Sequence, residues 1–287
     1  MTMMSAMTLP PYFSIKTFAV KSTTEHIVMN NLNQSIKSLC DYLRIPMVYT
    51  VFSEQEGRNN IDESTFAERL LEQLRAQADS AHESKVARLQ KAAKLRWPHA
   101  VLSDIQSSDK PPVRISKLKE LAQCQWIEDF RHIIISGPTG AGKTHLACAL
   151  GQEALLQEYT VQYYHYPVLI RDLKIAEKAG DDSLEKLRRK LSKVRVLLID
   201  DWGIQPLNPQ ERHLLFELIE IRDQSSSLII TSQYAPSDWY DAFGDRTVAD
   251  STLDRIVPYA IALNWDCESY RDKRGRQLSG KGGGKND

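Results

Sequence analysis

The stretch Ile133-Ile134-Ile135-Ser136-Gly137-Pro138-Thr139-Gly140-Ala141-Gly142-Lys143-Thr144-His145-Leu146 constrains this chain more than any other. An apolar β-branched run leads into a glycine-rich loop, and the loop leads into a helix start. The spacing G-x-x-x-x-G-K-T is met in full by Gly137, Gly142, Lys143 and Thr144. In that order a strand delivers the loop, consecutive backbone N–H groups turn toward phosphate oxygens, and the helix adds its positive end. Gly137, Pro138, Thr139, Gly140, Ala141, Gly142, Lys143 and Thr144 are therefore expected to cradle the phosphates of a nucleoside triphosphate. Lys143 is expected to reach the β- and γ-phosphates, and Thr144 to give its hydroxyl to Mg²⁺.

A second buried run, Val194 to Ile199, ends in Asp200-Asp201. A carboxylate at the C-terminal end of a parallel strand can hold a metal, and its neighbour can orient an attacking water. Asp200 is assigned to the metal and Asp201 to the water. Leu228 to Gln233 is a third such strand with a polar end. Gln233 is the first candidate to sense the γ-phosphate, Thr231 and Ser232 come next, and simple strand termination is the competing reading. The helix Ala249 to Ile256 carries Arg255, which either points into a neighbouring subunit's nucleotide or pairs with Asp254 or Asp250. His165, inside the strand Val161 to Tyr166, receives no role. Helices are expected over Lys117 to Ile127, from Leu146 to before Thr160, in two pieces of Val168 to Lys190, and over Asn208 to Asp223. A last strand is expected at Ala260 to Leu263. The fold class is α/β, a parallel sheet flanked by helices.

Upstream lies a helical region. Ile36, Leu39, Tyr42 and Leu43 recur at helical spacing until Pro46, and a second helix after Asp62-Glu63-Ser64 carries Phe66, Leu70, Leu71 and Leu74 as core residues. In a third, Val86, Leu89, Ala93 and Trp97 share one face while Lys85, Arg88, Lys91 and Lys94 fan over the other. No acidic residue interrupts Lys85 to Arg96. Lys85, Arg88, Lys91, Lys94 and Arg96 are candidate contacts to DNA phosphates, with an ordinary solvated helix face as the alternative. Lys+Arg and Asp+Glu both number 37, so nucleic-acid binding has to come from such local clustering rather than from a global field.

Residues 103–114, with Ser107-Ser108-Asp109-Lys110-Pro111-Pro112, read as a linker between a helical domain at 33–102 and a nucleotide domain at 115–270. Residues 1–32 read as a disordered extension, with Met29 a candidate start, and residues 271–287 as a basic disordered tail. No secretory signal or membrane-length apolar run is found. Cys40, Cys124, Cys148 and Cys267 have neither zinc nor disulfide spacing and are expected to be reduced thiols in the cytoplasm.

GPTGAGKTHLACALG, VLLIDDWG, IITSQ, GDRTVADSTLDRIV and the ESYRDKR end together resemble the IstB transposition helper ATPases of bacterial insertion sequences, AAA+ P-loop proteins close to the DnaC helicase loaders. KAAKLRWPHAVLSDI resembles the segment that joins that family's small N-terminal helical domain to its ATPase core, so the likeness spans about residues 33–275. The resemblance implies ATP and Mg²⁺ as ligands, an ATP-dependent homo-oligomer on double-stranded DNA, and stimulation of a cognate transposase. By motif position it carries Gly137 to Thr144 over as the phosphate loop, Asp200 and Asp201 as the metal and water carboxylates, Gln233 as the sensor and Arg255 as the finger. The chain after Arg255 is too short for the usual AAA+ helical lid. A DnaC-like loader of a helicase ring and a non-hydrolysing ATP-gated DNA scaffold remain as alternatives.

Overall fold

Five short runs, His132–Ser136 (β1), Val161–His165 (β2), Val196–Asp200 (β3), Ser227–Ser232 (β4) and Ala260–Asn264 (β5), form one sheet in the order β2-β3-β4-β1-β5. Every pairing is parallel. The computed structural model describes residues 23–58, 64–106 and 113–265. Parallel strands need crossovers and are covered on both faces, which is why β1, β3 and β4 are buried along their whole lengths.

Strand alternation divides the core in two. Ile133, Ile135, Val196, Leu198 and Ile229 face one cluster, with α5 (Ile115–Ala122), α6 (Gln125–Glu128) and α7 (Lys143–Leu156). Ile134, Leu197, Ile199, Leu228 and Ile230 face the other, with α8 (Tyr166–Lys178), α9 (Ser183–Ser192), α10 (Pro209–Glu220), α11 (Trp239–Phe243) and α12 (Arg246–Leu253). The expected strands and helices of this region are present with ends shifted by a few residues, except that the single helix expected over Lys117 to Ile127 is two, α5 and α6, parted by Cys124 at φ +58°. Asn208 caps α10 through a capping box with Glu211, with Pro209 in the first turn. Burial pushes the Cys124 and Cys148 thiols up to about 12 and 11, as suits packing residues.

Two buried polar side chains tie the amino-terminal edge of the sheet together. Arg222, 2 % exposed, donates to the carbonyls of Leu191, Val194 and Ser227, joining the end of α9 to the starts of β3 and β4. Burial pushes its pKa down to about 9. His132, 4 % exposed, accepts from the Leu228 N–H at Nδ1 (3.2 Å) and donates from Nε2 to the Arg255 carbonyl (3.1 Å). Burial is the main cause that lowers its pKa from 6.5 to about 4. An unfolded chain takes up this proton near pH 6.5 and the folded chain only near pH 4. Stability is therefore present in full above pH 6.5, is lost as pH falls between those values by about 3 kcal/mol, and levels off below. Denaturant titrations from pH 7 to pH 4 are expected to show this slope reduced by one proton in His132→Asn; an equal slope in the variant would remove His132 as its source.

The chain divides into two compact units, one ending at His82 and the other beginning at Glu83. The first contains α1 (Thr23–Tyr42), α2 (Pro46–Glu56) and the start of α3 (Phe66–Ala93), whose amino end is capped by Thr65 and Glu68. Pro46 ends nothing: it opens α2 from the first turn, where its missing N–H costs no bond. Phe66, Leu70, Leu71 and Leu74 do not form a core within the described residues, being 72, 38, 46 and 51 % exposed. The contact between α2 and α3 is polar instead, made by Gln55 with Glu72 and Gln73 and by the bidentate pair of Arg58 and Glu72.

The second and third N-terminal segments are one helix of 28 residues, α3. It stops at Ala93, where Lys94 takes φ +53°, so Trp97 lies beyond it. The division inside α3 differs from the boundary expected at 103–114. Ala93, Leu95, Ala100, Leu102 and Ile105 are buried in the cluster that holds α7 and β1, which binds this segment to the nucleotide unit. Within that linker Leu102–Gln106 is helical (α4), and 107–112 lie outside the described residues. So do 1–22 and the tail 271–287, whereas α1 begins at Thr23, inside the stretch read as an extension.

Candidate active site

Parallel register brings the carboxyl ends of the strands to one edge, where Ser136 lies level with Ser232 and Asn264, and His165 with Asp200. The loop Gly137 to Gly142 leaves β1 at this edge and enters α7 at Lys143. Gly142 caps α7 at φ +94°, a left-handed conformation suited to glycine. Gly137 has a different reason: a Cβ there would lie 2.2 Å from the Trp265 carbonyl oxygen. Trp265 clasps the loop, its N–H on the Ser136 carbonyl (2.6 Å) and its indole Nε1 on the Ala141 carbonyl (2.8 Å).

Lys143, 6 % exposed, folds back onto the Gly137 and Pro138 carbonyls at 2.7 and 2.8 Å. Burial lowers its pKa, against the attraction of Asp201 and Asp200. A triphosphate offers this ammonium better acceptors than two loop carbonyls.

Asp200 is fully buried and all its partners are at this edge. Its Oδ1 accepts from Thr144 Oγ1 (2.8 Å) and Thr231 Oγ1 (2.6 Å), and its Oδ2 from Tyr163 OH (2.9 Å), with Arg96 Nη1 at 3.5 Å. Burial and the Asp200 charge raise the Tyr163 pKa, which keeps the phenol a donor. A fully buried carboxylate touching the loop threonine is a hard-oxygen pair suited to Mg²⁺. No group of three or more His, Cys, Asp or Glu that could hold a metal occurs among the described residues. An Mg²⁺ ion held by this pair would take its remaining ligands from phosphate oxygens and water.

Asp201 is next along the chain, in a left-handed conformation at φ +61°. Its N–H donates to Thr231 Oγ1 (3.0 Å), and its Oδ2 lies 3.3 Å from His165 Nε2. Trp202, 1 % exposed, anchors this turn against the rings of Tyr166 and Trp239 at 5.2 and 5.5 Å.

The structure thus brings together Gly137 to Thr144, Asp200 and Asp201. Of the three sensor candidates, Thr231 bonds Asp200 directly, Ser232 binds the Trp202 carbonyl, and Gln233 is exposed at the end of β4. Arg255 is elsewhere. Its carbonyl meets His132 at the first residue of β1, whereas the loop comes after the last. Its guanidinium lies over Phe216 and pairs with Glu220 (3.4 Å) and Asp223 (4.0 Å), not with Asp254 or Asp250. Lys85, Arg88, Lys91 and Lys94 are exposed on or at the end of α3, Lys85 paired with Glu158, while Arg96 turns to Asp200. Tyr163, His165 and Trp265 carry no motif, and only the register of β2 on β3 and of β5 on β1 reveals them.

The chain is similar to known proteins over most of its length. A family model described as IstB-like ATP binding protein matches residues 38–278. A protein of Sinorhizobium fredii named as an insertion sequence ATP-binding protein is 35% identical over 226 residues, covering 79% of this chain and 91% of its own. One of Geobacillus stearothermophilus, similarly named, is 30% identical over 243 residues, covering 84% and 94%. The structure of AMPPCP-bound DnaA from Aquifex aeolicus superposes with a TM-score of 0.50 at 21% identity, over 65% of this chain and 56% of that one, a likeness of fold.

Proposed function

Because the chain belongs to the IstB-like ATP-binding protein family and is an AAA+ ATPase, we propose that it is a Mg²⁺-dependent, DNA-stimulated helper of insertion-sequence transposition. The observation that carries the chemistry is the contact of Thr144 and Asp200 at the mouth of the phosphate loop. ATP is held by the backbone N–H groups of Gly137 to Thr144, with Lys143 leaving the Gly137 and Pro138 carbonyls for the β- and γ-phosphates. Thr144 and Asp200 hold Mg²⁺, which supplies charge neutralisation at the phosphates. Asp201 orients a water for in-line attack on the γ-phosphorus. The new P–O bond forms as the bond to the β-phosphate oxygen breaks, releasing ADP and phosphate. His165 holds Asp201 for this task, and Thr231 Oγ1 links the Asp200 carboxylate to the Asp201 backbone N–H, so a change at the γ-phosphate reaches β4 and Gln233.

The names of the relatives support the transposition reading, and with it a cognate transposase as partner. Arg88, Lys91 and Lys94, exposed on or at the end of α3, support contact with duplex phosphates. Arg255, remote from its own phosphate loop, supports an oligomer in which it completes a neighbour's site. Cytoplasmic action fits this reading, and among the described residues no helix is long and apolar enough to cross a membrane. Hydrolysis then times the lifetime of an assembly on DNA. Phosphate release is expected to rise when duplex DNA is added. Replacing both Arg88 and Lys91 with Ala is expected to flatten log K against log[salt] by about 1.8, from about 0.9 per phosphate contact. An unchanged slope would make this a solvated face only, and phosphate release indifferent to DNA would remove the helper role.

A further inference from the structure

The residues between α3 and the buried segment at Ala100 form a strap across the nucleotide unit. The Ala93 carbonyl accepts from Gln162 Nε2 at 3.3 Å, and the Pro98 carbonyl accepts from Gln152 Nε2. Leu95 is 8 % exposed and packs on Gly151 of α7, where even an added Cβ would lie 3.4 Å from its Cδ2. Trp97, 50 % exposed, lies 6.4 Å from the ring of His145, next to Thr144. The strap is pinned on α7 and β2, so the single side chain between Leu95 and Trp97 has a defined place.

That side chain is Arg96, and its Nη1 lies 3.5 Å from Asp200 Oδ2, the oxygen that also accepts from Tyr163 OH, while Thr144 and Thr231 take Oδ1. Asp200 is wholly buried, and a buried carboxylate needs a cation close by. Lys143, the other nearby cation, is engaged with loop carbonyls. Arg96 therefore neutralises Asp200 before metal arrives, and its side chain, 46 % exposed, has room to swing out. Mg²⁺ brings two positive charges to the same carboxylate, where they repel the guanidinium at short range.

We propose that Arg96 is a resident counter-ion of Asp200 that Mg²⁺ must displace, so that the strap sets the metal requirement of the ATPase. This rests on Asp200 being the Mg²⁺ carboxylate. The strap follows α3 directly, after the turn at Lys94, so whatever engages Lys85, Arg88 and Lys91 acts on the helix from which the segment carrying Arg96 departs. Arg96 is a positioning residue of the metal site rather than one of the DNA contacts.

The test is the Mg²⁺ concentration that half-completes the rise in affinity for a fluorescent non-hydrolysable ATP analogue. Arg96→Gln is expected to lower it about fivefold or more, and Arg96→Lys to keep it near the wild-type value. A midpoint in Arg96→Gln that is unchanged or higher, with a normal wild-type response, overturns the counter-ion role alone. A wild-type affinity indifferent to Mg²⁺ overturns the metal reading and this inference together. A second measurement needs no change at Arg96: the fluorescence of Trp97, taken as wild type minus Trp97→Phe, is expected to shift when Mg²⁺ joins the nucleotide-bound protein. A constant signal means that the strap does not move.

Discussion

Arg255→Ala is expected to leave ATP binding intact and to cut phosphate release by the assembled protein about 10³-fold. The expectation comes from where the fold puts this arginine. Its carbonyl is bonded to His132, the first residue of β1, and the phosphate loop begins after the last, about 13 Å along a parallel strand. Serving its own nucleotide would take the guanidinium across the sheet, away from Phe216, Glu220 and Asp223. Serving a neighbour's requires the exchange of surface ion pairs worth about 1 kcal/mol or less each, together with the contacts to Phe216 and the Ser251 carbonyl. Mixing distinguishes the two cases. Arg255→Ala and Lys143→Ala subunits are each inactive alone, but an interface between them pairs an intact phosphate loop with an intact arginine. Phosphate release is expected to recover in the mixture. Wild-type turnover in Arg255→Ala, or silence in the mixture despite assembly, would return Arg255 to a structural role at the amino-terminal edge of the sheet.

The same geometry explains which parts of the site were legible in the sequence. Gly137 to Thr144, Asp200 and Asp201 were legible because each comes directly after a buried strand or at its end, and a parallel sheet brings all such ends to one edge. Tyr163 and His165 were not, since their meaning depends on β2 pairing beside β3, which leaves no mark in local periodicity. Trp265 lies far along the chain from the loop that it clasps and depends on β5 pairing with β1. Arg96 misled for a related reason. Spacing counts it with Lys85, Arg88 and Lys91 on one helix, yet the helix ends at Ala93 and a single left-handed residue, Lys94, turns the chain from Leu95 onward in a new direction. Apolar spacing also marked Phe66, Leu70, Leu71 and Leu74 as core, because period reports that a face exists and not what covers it.

Gly137→Ala tests how far phosphate binding depends on the clasp rather than on the motif. An alanine Cβ would stand 2.2 Å from the Trp265 carbonyl oxygen, so either the loop or the end of β5 has to move by about 1 Å to restore an ordinary contact. Neither moves freely, since Trp265 is bonded to the Ser136 and Ala141 carbonyls on both sides of the clash. A displacement of that size in a preorganised phosphate cradle is expected to weaken ATP binding about 10²-fold and to cost about 2–4 kcal/mol of stability. Gly180→Ala is the matched control. Gly180 also has a positive φ, +67°, but a Cβ there meets nothing within 4 Å, so the expected cost is backbone strain of about 1 kcal/mol with ATP binding unchanged. Binding and denaturant midpoints of the two variants separate close approach from conformation. If both behave alike, Gly137 is needed only for its backbone angles; if Gly137→Ala alone loses ATP, the end of β5 is part of the phosphate site, and Trp265 is a functional residue that no motif contains.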